Sequence, residues 1–329
     1  MSKTQKLKLA KDSVIDSAPA PLEPSRTFGL LILLLFIIFT AVWLTRESIE
    51  TTTLDNSTLV STDAFKTLSG FEIESWYLPN DSTLGFVEIP AGTFTMGSNP
   101  TLDSLAYGNE QWSRRQRQGK VELPFYFISR FETTVAQYSA YLEDTAQTSA
   151  ALNLDSPGNF PIAGVTWPET LGYARWLEEK LRQSDSTPAQ VKALLDSGGH
   201  VTLPTEAEWE KAARGTDNKV FPWGSRVRTD FANFNNDQPL AVGALACPSC
   251  SYGLSDMSGN VWELTRSPLQ DYPYNPDDDG VSLSSDVIWV MRGGSYADQV
   301  NNVRAAVRGG VDPSVRNLTI GFRIAISTL

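Results

Sequence analysis

The stretch Tyr252-Gly-Leu-Ser-Asp-Met-Ser-Gly-Asn-Val-Trp-Glu-Leu264 decides how the chain reads. No long helical period runs through it. Gly253 and Gly259 punctuate it, and two carboxylates, Asp256 and Glu263, stand within eight residues of tight backbone. The same texture extends on both sides. From Gly215 to Ile324 short apolar runs alternate with turns rich in Gly, Pro and Asn, with no long helical period. Nine Trp and 23 Gly among 329 residues fit a fold built from loops held by aromatic anchors.

Regular elements concentrate upstream. Phe86–Ile89 alternates like a strand and stops at Pro90-Ala91-Gly92; Thr93–Met96 alternates again, which predicts a hairpin. Leu123–Phe131 reads as a further strand. Thr133 and Thr134 can cap a helix over Val135–Leu142. Two capping boxes come next, Thr166-Trp-Pro-Glu169 and Thr205-Glu-Ala-Glu208. The first opens a helix with an apolar stripe at Leu171, Ala174, Leu177 and Leu181; the second helix runs through Trp209 to Arg214 and stops at Gly215. Helices set among short antiparallel strands give an α+β class.

Seven segments in order then resemble the formylglycine-generating enzyme, or sulfatase-modifying factor, family. They are FVEIPAGTFTMGS (Phe86–Ser98), PIAGVTWPETLGYARWL (Pro161–Leu177), LPTEAEWEKAARG (Leu203–Gly215), FPWG (Phe221–Gly224), the stretch Tyr252–Leu264, RGGSY (Arg292–Tyr296) and IGFRIA (Ile320–Ala325). The resemblance implies a C-type-lectin-like fold with little regular secondary structure over 85–329. It does not by itself select a chemistry, because the family includes copper oxidases, iron enzymes, siderophore-maturation proteins, kinase-linked domains and display scaffolds.

In the oxidase branch two cysteines lie at +3 and +8 from the Ser of RGGS. Here those positions are Asp298 and Val303, and the loop to Arg308 is about three residues shorter. Copper(I) selects soft thiolate ligands, which Asp cannot replace. The resemblance therefore implies neither copper nor iron. It does imply calcium, which takes hard oxygens, on the side chains of Asp256 and Glu263 and the carbonyls of Gly259 and Val261. A second calcium site would begin at Asn233 and Phe234. Arg292, Trp262, Arg304, Arg308 and Arg323 match positions that shape the family's groove and core. Ser295, Tyr296, Asp298, Asn301 and Asn302 are the candidates for a ligand-facing groove, with a peptide or protein as the expected ligand. The reading is a binding or maturation accessory. An oxidase acting on a peptidyl substrate and a variable display protein are the alternatives.

Composition narrows the field further. The net charge of −11 argues against nucleic acid, whose phosphates need clustered Lys and Arg. The Arg114, Arg115, Arg117 group reads as a solvated loop. A single histidine, His200, is too few for a facial-triad iron site. The two cysteines, Cys247 and Cys250, read as a small structural disulfide, with free thiols and a redox or metal role as the other readings.

At the N-terminus, Phe28–Thr45 is about 18 residues without a charge, close to the length that spans the hydrocarbon core. A buried core helix would need a polar face, and a cleaved signal peptide would need a small-residue cleavage site after it. Lys3, Lys6, Lys8, Lys11 and Arg26 precede the segment, whereas Glu47, Glu50 and Asp55 come after it. The positive-inside rule then puts residues 1–27 in the cytoplasm as an unstructured tail. Residues 28–45 become a signal anchor in the inner membrane and 46–84 a linker, with the 85–329 domain periplasmic or extracellular.

Overall fold

A computed structural model describes residues 83–279 and 287–328, with Thr40 apart from them. The expected tail and anchor, Thr40 excepted, and the linker up to residue 82 lie outside the described residues. Among the described residues no helix is long and apolar enough to cross a membrane.

Ten strands and four α-helices succeed one another among the described residues. They are β1 (Phe86–Ile89), β2 (Gly92–Met96), β3 (Gly119–Leu123), β4 (Tyr126–Ser129), α1 (Val135–Thr145), α2 (Trp167–Gln183), α3 (Ala189–Asp196), β5 (His200–Thr202), α4 (Glu206–Arg214), β6 (Trp262–Pro268), β7 (Trp289–Arg292), β8 (Gly309–Val311), β9 (Ile320–Gly321) and β10 (Ala325–Ser327). They form a sheet in the order β1-β4-β10-β5, a two-stranded ribbon β2-β3, and a sheet in the order β8-β7-β6-β9. The β6–β9 pair is parallel and the rest are antiparallel.

The expected hairpin does not form. β1 pairs with β4, Phe86 opposite Ser129, while β2 pairs with β3, Gly92 opposite Leu123. The two ribbons are successive stretches of one pair of segments, 86–96 and 119–129, broken at matching corners. Pro90 and Pro124 stand at those corners, and neither has an N–H for a ladder. That break also splits the run Leu123–Phe131, expected as one strand, into the end of β3 and the whole of β4. Lys211 of α4 holds the first corner by donating to the carbonyls of Pro90 (2.6 Å) and Gly92 (3.0 Å).

The three helix starts read from the sequence are present. Thr134 and Gln137 exchange capping hydrogen bonds at α1, as Thr205 and Glu208 do at α4. Glu169 reaches back to the Thr166 N–H (2.8 Å) at α2. Helix α3 is not among the expected helices, although Val191, Leu194 and Leu195 supply the apolar i, i+3, i+4 spacing that it buries.

The largest core lies between α1, α2 and the β6–β7 sheet. Tyr138, Tyr173 and Phe322 pack edge and face there, and the Trp167 ring stacks on Trp289 at 3.8 Å. A second core sets α4, through Trp209, Ala212 and Ala213, against β2 and β4. A third, small cluster joins Val220, Phe221, Ala232, Phe234 and Val303.

Candidate functional site

Helix α4 is buried along its whole length, yet its sequence EAEWEKAAR carries charges throughout. Burying an unpaired charge is costly, so each must be answered. Glu206 accepts from Arg292 (3.0 Å), from Arg308 Nε (2.5 Å) and from the Tyr272 hydroxyl (3.3 Å). Glu210 accepts from Arg292 (2.6 Å), Arg214 (2.8 Å) and the Gly97 N–H (2.7 Å). Arg292 also donates to the carbonyls of Ala305 (2.8 Å) and Ala306 (3.1 Å). Arg304 forks onto Glu110 and Asp103, with N–O distances of 2.6–2.8 Å. These arginines fix both ends of the loop that joins β7 to Arg304.

That loop turns on Gly293 and Gly294, both at positive φ; a Cβ on Gly294 would lie 2.4 Å from the Asn302 carbonyl oxygen. Beyond the two glycines, Asp298 organises the rest of the loop. Its carboxylate accepts from the Ser295 N–H (3.0 Å), the Ser295 hydroxyl (2.6 Å), Trp262 Nε1 (2.8 Å) and Asn302 Nδ2 (2.7 Å). The neighbouring loop runs alongside: the Asn235 and Asn236 N–H groups donate to the carbonyls of Asp298 and Tyr296. Val303 closes the loop by burying its side chain in the third cluster.

The five groove candidates therefore divide. Ser295 is buried against Asp298, and Asp298 spends its oxygens inside the loop. Tyr296, Asn301 and Asn302 reach the surface. Tyr107, which the sequence reading missed, joins them: its hydroxyl donates to Asn302 (2.9 Å) and accepts from Asn301, and its ring covers Arg304 at 5.2 Å. Trp223, stacked on Phe221 at 5.3 Å, packs against the third cluster, as does Val300. The resulting surface is aromatic and amide-rich.

The two segments expected to hold calcium lie side by side. Asn233 bridges Gly259, and the Asn260 N–H donates to the Asn233 carbonyl (2.8 Å). A Cβ on Gly259 would fall 2.1 Å from that same oxygen, so only glycine fits. Phe234 points into the third cluster. Glu263 is engaged by Arg323 Nε (2.5 Å), by Arg323 Nη2 (2.6 Å) and by Trp209 Nε1 (2.6 Å). Asp256 accepts from the Gly243 N–H (2.6 Å). Glu132, another residue missed from the sequence, accepts from Asn260 Nδ2 (2.6 Å) and the Val261 N–H (3.1 Å). Burial pushes Asp256 up to about 6 and Glu132 well above the usual carboxylate range; the mutual repulsion of these acids with Glu263 adds to it, and Arg323 opposes it. Among the described residues no group of three or more His, Cys, Asp or Glu has a metal-holding arrangement.

Cys247 and Cys250 form a disulfide with an S–S distance of 2.03 Å, and the Cys250 N–H donates to the Cys247 carbonyl. His200 sits on β5, its side chain 68% exposed and 3.1 Å from Glu178, and shares no contact with the loop 295–302.

Comparison with known proteins agrees with this architecture. The chain is 27% identical to hercynine oxygenase of Mycolicibacterium smegmatis over 286 residues, covering 73% of this chain and 60% of that protein. It is 29% identical to the inactive C-alpha-formylglycine-generating enzyme 2 of Bos taurus over 307 residues, covering 78% of this chain and 92% of that one. Among solved structures, PvdO from Pseudomonas aeruginosa superposes with a TM-score of 0.59 at 23% identity, over 74% of this chain and 94% of that chain. Treponema denticola variable protein 1 does so with a TM-score of 0.56 at 22% identity and the same coverage. These two likenesses concern the fold alone. Residues 78–328 match the Sulfatase-modifying factor enzyme 1-like domain, and the chain belongs to that family.

Proposed function

We propose that this chain is a membrane-anchored, outward-facing member of the family that binds a peptide or protein and performs no copper chemistry. The observation that carries this reading is the use made of the two positions where the oxidase branch has thiols. Asp298 knits the loop together through Ser295, Trp262 and Asn302, and Val303 is buried in an apolar cluster. Both residues serve the scaffold, while Tyr107, Asn301, Asn302 and Tyr296 present the surface above it. The test is to load the full chain with copper(I), supply a sulfatase-type cysteine peptide and oxygen, and look for formylglycine by mass spectrometry. Turnover at an enzyme-like rate would end this reading.

The relatives' names include both an oxygenase and an inactive enzyme, so family membership leaves room for the second reading, an oxidase of a peptidyl substrate. Such an enzyme would need a reactive cofactor supplied from outside the chain, because the groove offers neither Cys nor His. The anchor belongs to the proposal through residues 28–45 and the charge asymmetry around them. Protease treatment of sealed spheroplasts should clip the domain and spare the tail; protection of the domain would reverse the orientation.

Calcium is proposed as a structural ion. Its support is the charge balance: Glu132 and Glu263 are buried and Asp256 is half-buried near the guanidinium of Arg323. Glu263 is already shared with Arg323 and Trp209, so the ion would rely mainly on Asp256 and on the carbonyls of Gly259 and Val261. Added calcium should raise the melting temperature, a chelator should reverse the rise, and Asp256→Asn should abolish it. An unchanged melting curve would dismiss the ion.

A further inference from the structure

On the α2 side, away from the loop 295–302, an open cleft of about 230 Å³ lies between α2, β5 and β6. One face of α2 supplies most of its floor: Trp167, Leu171 and Ala174 succeed one another at helical spacing, and Val201 of β5 completes it. The floor is rigid. Trp167 is locked by its stack on Trp289 at 3.8 Å and by its Nε1–H bond to the Thr265 carbonyl (2.8 Å).

The rim carries two arginines and one acid. Arg175 from α2 and Arg266 from β6 both line the cleft. The acid on the rim, Glu178, is already answered by Arg182 (2.8 Å), by the Val201 N–H (2.9 Å) and by His200 (3.1 Å). It therefore does little to neutralise Arg175, which is exposed and enters none of the ion pairs among the described residues. An exposed cation over an apolar floor, on a chain whose net charge is −11, suits an anionic ligand with an apolar body. Convergent polar groups over an apolar, preformed concavity are the usual anatomy of a small-molecule site.

We propose that this cleft binds a small organic carboxylate, its apolar body against Trp167, Leu171 and Ala174 and its carboxylate on Arg175. The guanidinium of Arg175 supplies a charge-assisted hydrogen bond, and the floor supplies apolar burial. The site shares no residue with the proposed peptide surface, so it stands or falls independently of that reading.

The test is isothermal titration of the full chain in non-ionic detergent with 3-phenylpropionate, 3-phenylpropanamide and inorganic phosphate. The carboxylate should bind, and the amide and the phosphate should each bind at least about tenfold more weakly, one charge-assisted contact being worth roughly that factor. Arg175→Gln, at an exposed position, should fold normally and lose about tenfold for the carboxylate alone. Arg115→Gln, on a distant exposed loop, should bind as the parent does. Equal binding of the amide would reduce the site to an apolar hollow, and equal binding of phosphate to a bare anion patch. Either result, an unchanged Arg175→Gln, or no binding of the carboxylate at millimolar concentration would overturn the proposal.

Discussion

The environment of α4 and the loop 295–302 both depend on carboxylates, and they use them in opposite ways. Around α4, Glu206 and Glu210 are sealed from water and answered by guanidinium groups that come from β7 and from the segment after the groove loop. In the loop, Asp298 is half-buried and answered by a hydroxyl, a backbone N–H, an indole and an amide, all neutral donors. The first arrangement joins elements distant in sequence, such as Glu206 and Arg308, and so holds the fold. The second is largely local and shapes one surface. Charge placed deep specifies which elements meet, whereas charge placed near the surface specifies how a loop presents its side chains.

The largest effect should come from breaking the deep network. Arg292→Met leaves Glu206 and Glu210 short of a partner and should lower stability by about 3–5 kcal/mol in urea denaturation. A loss below about 1 kcal/mol would mean that α4 is not held by charge. Asp298→Ala should cost less, about 2 kcal/mol, because the donors it strands are neutral and partly hydrated. It should also speed amide hydrogen exchange at 293–302 while leaving α4 protected; exchange that rises equally in both regions would erase the distinction between them.

A third test concerns a carboxylate beside α4 that is less well answered. Burial pushes Asp279 up to about 6, outweighing the hydroxyls of Ser267 and Tyr274 and the guanidinium of Arg266. Its folded value lies above its ordinary value of 3.8, so its favourable contribution is present below that value and is lost as the pH rises through about 6. Asp279→Asn should therefore stabilise the protein at pH 7 by on the order of 1–2 kcal/mol and flatten the stability profile between the two values. An unchanged slope in that window would place the titration elsewhere. The smallest effect is expected at the surface. Tyr107→Phe and Asn301→Ala should shift stability by no more than about 0.5 kcal/mol, yet weaken any peptide selected against the parent. Unchanged peptide binding would move the ligand surface away from the loop.

Legibility in the sequence tracked the range of the interaction. The caps at Thr134, Thr166 and Thr205 are complete within four residues, so their helices could be read directly. Helix α3 has the right spacing at Val191, Leu194 and Leu195 but gives no start signal, because Pro188 at its start bears no side-chain capping group. The roles of Tyr107 and Glu132 were invisible. Tyr107 meets Asn302 across 195 positions, and Glu132 meets Asn260 across 128.

The sequence by itself determined the family, through seven ordered motifs, along with the α+β class, three of the helix starts and the loss of both thiol positions. Each of these is a matter of residue identity or of contacts a few residues apart. Only the tertiary structure decided that β1 joins β4 rather than β2, that Asp298 faces inward to Trp262, and that Glu263 belongs to Arg323. Those outcomes depend on which distant groups compete for one ladder edge or one carboxylate. That competition is settled by burial and geometry, to which adjacent residues in a sequence carry no pointer.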